Sequence, residues 1–290
     1  MTVTGRPEIS VIVPVFRDWD GARALLAALA AQEGAPPFEI LLVNNDPADT
    51  APADLPRMEN LHLLEEARPG SYAARNHGAE QARGRLLAFT DADCSPAPDW
   101  LARLCAAGRD WGGLISGRVE MVSTSRPMER LNTAEAYDYF FGINQDIYAR
   151  DGVAATANLM VPRAVWEQAG GFDAALKSGG DVAFCRAAAR VGAGLRHTPE
   201  AVVRHPLRTS FAALLNKARR VAGGRAQRDG WRALAITLAP PLVRLRILFL
   251  DKTTPGGFAR LRAFVAIFAV KLAEIAETLA VLTGLGQARR

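Results

Sequence analysis

Two carboxylates one residue apart, Asp91 and Asp93, follow the apolar run Arg85 to Thr90, and the chain turns away at Cys94-Ser95-Pro96. On such a turn both can converge on one ion. Two oxygens leave most of an octahedral magnesium or manganese shell to water and substrate phosphates. An isolated D-x-D is ordinarily a solvated turn after a strand, so its meaning depends on what surrounds it.

The elements around it are legible from hydrophobic period. Ser10 to Phe16 is short, apolar and β-branched, which predicts a buried strand. Asp20 to Gln32 has Ala and Leu at helical spacing. Phe38 to Val43 reads as a second strand, Leu61 to Leu64 as a weaker third, Ser71 to Ala82 as a helix, and Arg85 to Thr90 as a strand ending at Asp91. Alternating strands and helices predict a parallel, doubly wound α/β sheet covered on both faces, whose ligands bind beyond the carboxyl ends of the strands. Pro14 to Asp18, Asn44 to Asp46 and Asp91 to Cys94 fall there. Further on, the pattern predicts a strand at Gly113 to Val122, a helix at Met128 to Phe141 and extended chain at Ala154 to Val161. Helices follow at Arg163 to Ala169 and Val182 to Val191, then a short strand at Val202 to His205. From Ser210 everything reads as helix, broken at Pro240-Pro241 and at Pro255-Gly256-Gly257.

The bulk composition is that of a globular chain: 290 residues, 49% hydrophobic and 22% charged. Cys94, Cys105 and Cys185 make neither a disulfide framework nor a metal-type spacing, which points to a reducing compartment. Met1 to Glu8 lacks the basic start and apolar run of a signal peptide. The net charge of +5 is unevenly distributed: residues 201–290 hold 16 Lys/Arg against 4 Asp/Glu, while residues 1–200 are net acidic. A basic tail on an acidic body suggests an anionic partner for the tail.

Four segments together are specific in order and spacing: VIVPVFRD from Val11, EILLVNND from Glu39, GSYAARNHG from Gly70 and LLAFTDAD from Leu86. They resemble the family 2 glycosyltransferases, from about residue 8 to about residue 225. The resemblance implies a GT-A fold, a doubly wound, mostly parallel sheet flanked by helices. It also implies inverting transfer from a nucleoside-diphosphate sugar, UDP-linked by expectation, to a hydroxyl acceptor. Carried over, Pro14, Val15 and Phe16 line the nucleoside pocket and Asn45 faces the base. Arg75 reaches the nucleotide, Asp91 and Ala92 support the donor, and Asp93, Asp91 and His205 hold Mn2+ or Mg2+. Asn158 faces the acceptor. Asp181, in Gly179-Gly180-Asp181 ahead of a helix, is the expected catalytic base; the plainer reading is a helix N-cap. The expected domains are 1–225 (nucleotide half 1–110, acceptor half 111–225) and a helical extension, 226–290.

Two other enzyme classes lack their marks. A nucleotidyltransferase wants a Gly-rich loop after the first strand, but no glycine comes until Gly21; a dinucleotide-binding oxidoreductase wants G-x-G-x-x-G there. A non-catalytic sugar-nucleotide or membrane scaffold would not need Asp91, Asp93 and Asp181 together. Gln227-Arg228-Asp229-Gly230-Trp231 departs from the Gln-x-x-Arg-Trp signature of polymerising relatives, so single addition is expected, in cell-surface polysaccharide or glycolipid synthesis. In the tail, Lys217, Arg219, Arg220, Arg225 and Arg228 follow an amphipathic stripe. Phe258, Leu261, Val265, Phe268, Leu272, Ile275, Leu279 and Leu282 then form an unbroken three–four seam. Arg262 and Lys271 bracket too few apolar residues to span a bilayer. The seam is expected to meet a membrane surface, a second copy of the chain or the protein body. The enzyme is thus placed in the cytoplasm or peripherally on the cytoplasmic membrane face. No nucleic-acid partner is expected, since stacking aromatics are not interleaved with the basic residues.

Overall fold

The computed structural model describes residues 6–250 and 257–286. The chain divides into two compact units, one of residues 1–120, 144–175 and 180–205, the other of 121–143, 176–179 and 206–290.

The first unit carries the sheet. Its opening elements are β1 (Ile9–Val15), α1 (Trp19–Ala30), β2 (Phe38–Asn44), β3 (Leu61–Glu65), α2 (Ser71–Gln81) and β4 (Leu86–Phe89). β5 (Ser95–Pro96), α3 (Trp100–Gly108) and β6 (Leu114–Val122) follow, and after a gap α5 (Gln145–Arg150), β7 (Leu159–Pro162), α6 (Arg163–Ala169), α7 (Gly180–Arg190) and β8 (Leu195–Pro206). The strands form one sheet in the order β3-β2-β1-β4-β7-β6-β8-β5. β3, β2, β1 and β4 are parallel, and β7 enters antiparallel to β4 and β6. This is the expected doubly wound α/β architecture, and the run Ile9 to Val15 behaves as its composition requires. Ile9, Val11, Ile12, Val13 and Val15 are all fully buried, covered on both faces. Each such side chain contributes about 1.5–3 kcal/mol relative to leaving it in water. α2 lies on β1 and β2 at backbone range: a Cβ on Gly78 would come within 2.7 Å of Ile12 Cγ2 and 3.1 Å of Val43 Cγ2.

Three local expectations change. The helix expected over 128–141 is a 3-10 turn, Met128–Arg130, followed by α4 (Thr133–Phe141). Asn132 caps α4 through its own side chain, and Glu135 returns the bond to the Asn132 backbone, so this capping box restarts the helix. The extended stretch from Ala154 tightens into a 3-10 turn, Thr156–Asn158, before β7. β8 begins at Leu195, seven residues before the expected strand. Pro199 and the half-exposed Arg196 and Thr198 hid it from a reading based on apolar alternation.

The second unit holds α4, α8 (Phe211–Asp229), α9 (Trp231–Leu238), α10 (Leu242–Leu250) and α11 (Gly257–Leu282). The expected break at Pro240-Pro241 separates α9 from α10, and Gly230, at φ 57°, adds one between α8 and α9. Of the break expected at Pro255-Gly256-Gly257, the first two residues lie outside the described residues. Leu131, Tyr137, Phe140, Leu214, Leu248, Ala263, Ile267 and Val270 form this unit's core. A buried ion cluster lies beside it. Asp138, 1% exposed, accepts from the backbone N–H and guanidinium of Arg208 and from Lys217 Nζ. Burial pushes the Asp138 carboxyl up, but Lys217 and Arg208 more than offset it and hold it below its ordinary value. Burial brings the Lys217 ammonium down to about 8.

Of the alternatives left open for α11, packing on the protein body is met by the alanine face rather than by the seam. The side turned inward is built of Ala259, Ala263, Ala266, Ile267, Val270 and Ala273, with Glu274, Glu277 and Thr278. The seam of large residues points outward, with Phe258 76% and Leu272 69% exposed. Small residues let α11 approach α8 and α4 closely, so packing selected the alanine face.

Candidate active site

The site is built where the strands end, within the first unit. At the end of β1, Val15 is fully buried while Phe16 is 44% exposed. Arg17 follows in the left-handed region at φ 56°. Its guanidinium stands 5.2 Å from the Phe16 ring centre and donates from Nε to Asp46 Oδ2 at 2.6 Å. An open aromatic face and a cation thus flank the ends of β1 and β2, and Pro14 lies half-buried beneath them. Asn45, 4% exposed, has its amide committed to the chain. Nδ2 donates to the carbonyls of Glu66 and Arg68, and Oδ1 accepts from Gly70 N–H at 2.8 Å. Asn45 therefore pins the 66–70 loop that leads into α2.

α2 carries Arg75 inward. Its guanidinium, 5% exposed, is ion-paired to Asp91 Oδ1 at very short range. Asp91, Asp93, Cys94 and His205 each bring one ligand atom to a group whose members all lie within 4.8 Å of one another. His205 Nε2 stands 3.6 Å from Asp93 Oδ1. β4 delivers the two aspartates, and His205 comes from the far end of β8. Ala92, between them, is buried. Two partly exposed carboxylates and an imidazole fit a hard divalent ion with room for water and phosphate oxygens. The Cys94 thiol is the unexpected member. Burial, with Asp91 and Asp93 adding to it, holds it protonated well above its ordinary value, and a soft donor offers little to such an ion.

Asp181 sits in the first turn of α7, inside the helix rather than at its cap. Its Oδ1 accepts from Val182 N–H at 2.9 Å and from Tyr72 Oη at 3.4 Å. Burial is the main cause raising its carboxyl above the ordinary range, with Asp91 adding, while the Val182 N–H and Arg75 pull it down. Burial pushes the Tyr72 phenol up to about 12, so it remains a donor at neutral pH. Gly180 lets this contact form, since a Cβ there would lie 2.6 Å from the Tyr72 ring. Asn76, next to Arg75, exchanges two hydrogen bonds with the Phe172 backbone, and Phe172 stacks on Tyr72. The loop ahead of α7 is thereby fastened to α2. Sequence reasoning missed Tyr72 and Asn76, although both lie inside the quoted segment from Gly70. Their partners are about a hundred residues away, which no local pattern records.

Asn158 is fully buried. It accepts from Trp100 Nε1 and donates to the carbonyls of Arg118 and Ala201, so its side chain links α3, β6 and β8.

Residues 10–168 match Glycosyl transferase family 2. The chain is 35% identical to Glycosyltransferase AglE of Haloferax volcanii over 233 residues, covering 76% of this chain and 74% of that protein. It is 26% identical to the pre-mycofactocin glycosyltransferase of Mycobacterium tuberculosis, covering 70% of this chain but 44% of that one. Among solved structures, a mannosyltransferase from Pyrobaculum calidifontis, in complex with GDP-Man and Mn2+, superposes with a TM-score of 0.54. It is 22% identical and matches 97% of this chain and 81% of its own. The chain belongs to glycosyl transferase family 2. It has the GT-A fold and is a glycosyltransferase using a sugar nucleotide.

Proposed function

We propose that the chain transfers one sugar from a nucleoside diphosphate to a hydroxyl on a glycan or lipid-linked glycan, with inversion and with a divalent ion. One observation supports this most: a metal-fitting set (Asp91, Asp93, His205), a buried arginine and the half-buried carboxylate of Asp181 lie in one electrostatic neighbourhood. Asp93, Asp91 and His205 would hold Mn2+ or Mg2+, which when bound neutralises charge building on the leaving diphosphate. Arg75, freed from Asp91 as the ion engages that carboxylate, would turn to the phosphate oxygens. Phe16 offers a face for the base and Pro14 and Val15 a floor. Ala92 keeps the turn between the aspartates narrow. Asp181 accepts the acceptor hydroxyl's proton as its oxygen attacks the anomeric carbon opposite the diphosphate, and Tyr72 steadies the carboxylate. No covalent enzyme intermediate is required, and the product is inverted.

Residues 1–225 would form the catalytic domain, 1–110 taking the nucleotide and 111–225 the acceptor. Asn158 would act there by setting the strands that line the acceptor side. Asn45 would support the base site through the loop it pins. UDP-sugars lead the donor panel by family expectation. GDP-mannose joins it because the Pyrobaculum enzyme was solved with that donor.

The test is donor turnover across nucleotide sugars with Mn2+, Mg2+ or excess chelator, with the anomeric configuration of the product read by NMR. Asp93→Ala is expected to abolish transfer and weaken metal-dependent donor binding while the fold persists. Full transfer in chelator would remove the metal from the mechanism, and a retained anomer would remove direct displacement.

A further inference from the structure

The outward face of the helical unit is explained by nothing in the transfer reaction. On α11 the residues Phe258, Leu261, Val265, Phe268 and Leu272 recur every three or four positions, with Leu279 seven further on, and all six are exposed, from 40% to 76%. They lie along a helix of 26 residues, and the stripe from Phe258 to Leu279 runs about 32 Å along it. α10, which packs on α11, exposes Leu242, Val243 and Phe249 at 66–73%. Monomeric proteins seldom leave such a contiguous surface open.

The charges around it are of one sign. Among the described residues beyond 230, every exposed charged side chain is an arginine: Arg232, Arg246 and Arg262. Both carboxylates of this stretch, Glu274 and Glu277, are buried at 7% exposure, and Glu274 is ion-paired to Arg244. Among the described residues the surface therefore combines large apolar side chains with positive charge and offers no exposed acid.

That combination discriminates between occupants. In a two-fold dimer the same patch meets itself, so arginines would approach arginines with no carboxylate to answer them. A nucleic acid would answer the arginines but leave the leucines and phenylalanines unburied. A bilayer with anionic headgroups answers both: the apolar face enters the boundary between headgroups and acyl chains, and the arginines stay among the phosphates. No helix among the described residues is long and apolar enough to cross a membrane, so the contact is made lying in the surface. We propose that the outward face of α10 and α11 is a docking surface for an anionic membrane. The inference extends the proposed lipid-linked acceptor to a named surface, and it stands on residues that take no part in sugar transfer.

The experiment is flotation of the full chain with vesicles of phosphatidylcholine alone and of phosphatidylcholine mixed with phosphatidylglycerol. Flotation is expected with the mixed vesicles and to fall about tenfold or more without anionic lipid. Leu261→Glu with Leu272→Glu, both at exposed positions, should abolish it. Arg246→Glu should remove most of the preference for anionic lipid. Circular dichroism and donor turnover in solution should be unchanged in both variants. A full chain that stays at the bottom of the gradient with both vesicle types overturns the proposal. So does flotation that persists in the double variant, or a dimer in solution that the double variant dissociates while vesicle binding is absent. Loss of flotation with donor turnover intact separates this surface from the reaction. A chain that floats but turns over no donor would fail the proposed reaction instead.

Discussion

At Asp181 the surroundings work against ionisation, and that has a measurable sign. The folded carboxyl titrates above its ordinary value of 3.8, chiefly through burial. Above 3.8 the native state keeps a proton that the unfolded chain has released, so stability falls as pH rises through the window up to the raised value. Asp181→Asn removes that loss. It is expected to be at least as heat-stable as the parent at neutral pH and no different below pH 3.8, while transfer drops about a hundredfold or more and donor binding stays. A variant that loses thermal stability and keeps its rate would make Asp181 structural. The parent's rate should climb with pH as the carboxylate forms. The positions at this scale were legible: Arg75, Asp91, Asp93 and Asp181, picked from their motifs, come together in the fold. The direction of an amide was not. Asn45 and Asn158 carry donors and acceptors that suit a ligand or a backbone equally, and only the fold shows that loop and strand carbonyls take them.

Elements were readable in proportion to how fully they are buried. β1, β2 and β4 announce themselves as apolar runs because both of their faces are covered. β8 opens on a polar run, Arg196 to Glu200, that includes a proline, and α5 has six residues, too few for a period to emerge. In the seam of α11 the periodicity separated two faces correctly but could not say which turns inward, because alanine packs well and reads as neutral. Between elements, the Asp138 cluster ties α4 to α8 and to Arg208 on the link that precedes α8. Asp138→Ala would strand two cations beside a core, and breaking a buried pair in this way costs about 3–5 kcal/mol. Chemical denaturation should show a loss of that size. A shift below about 1 kcal/mol would mean that water already reaches the cluster.

For the whole molecule, bound donor should appear as stability. A ligand that binds only the native state at a hundred times its Kd adds about 2.7 kcal/mol. The preferred nucleotide sugar with Mn2+ is therefore expected to raise the thermal midpoint. Chelator should erase that rise without lowering the midpoint of the free chain; a rise that survives chelation would make donor binding independent of the ion. Much of this alignment depends on a side chain that is missing. A methyl group at Gly78 would wedge α2 away from Ile12, and Arg75 rides the same face of that helix one turn earlier. The helix would act as a lever pivoting on the wedge, carrying the guanidinium out of register with Asp91 while every charged group remained present. Gly78→Ala should therefore fold, keep its complement of acids and bases, and transfer sugar poorly. The gauge for the arginine is cut in empty space.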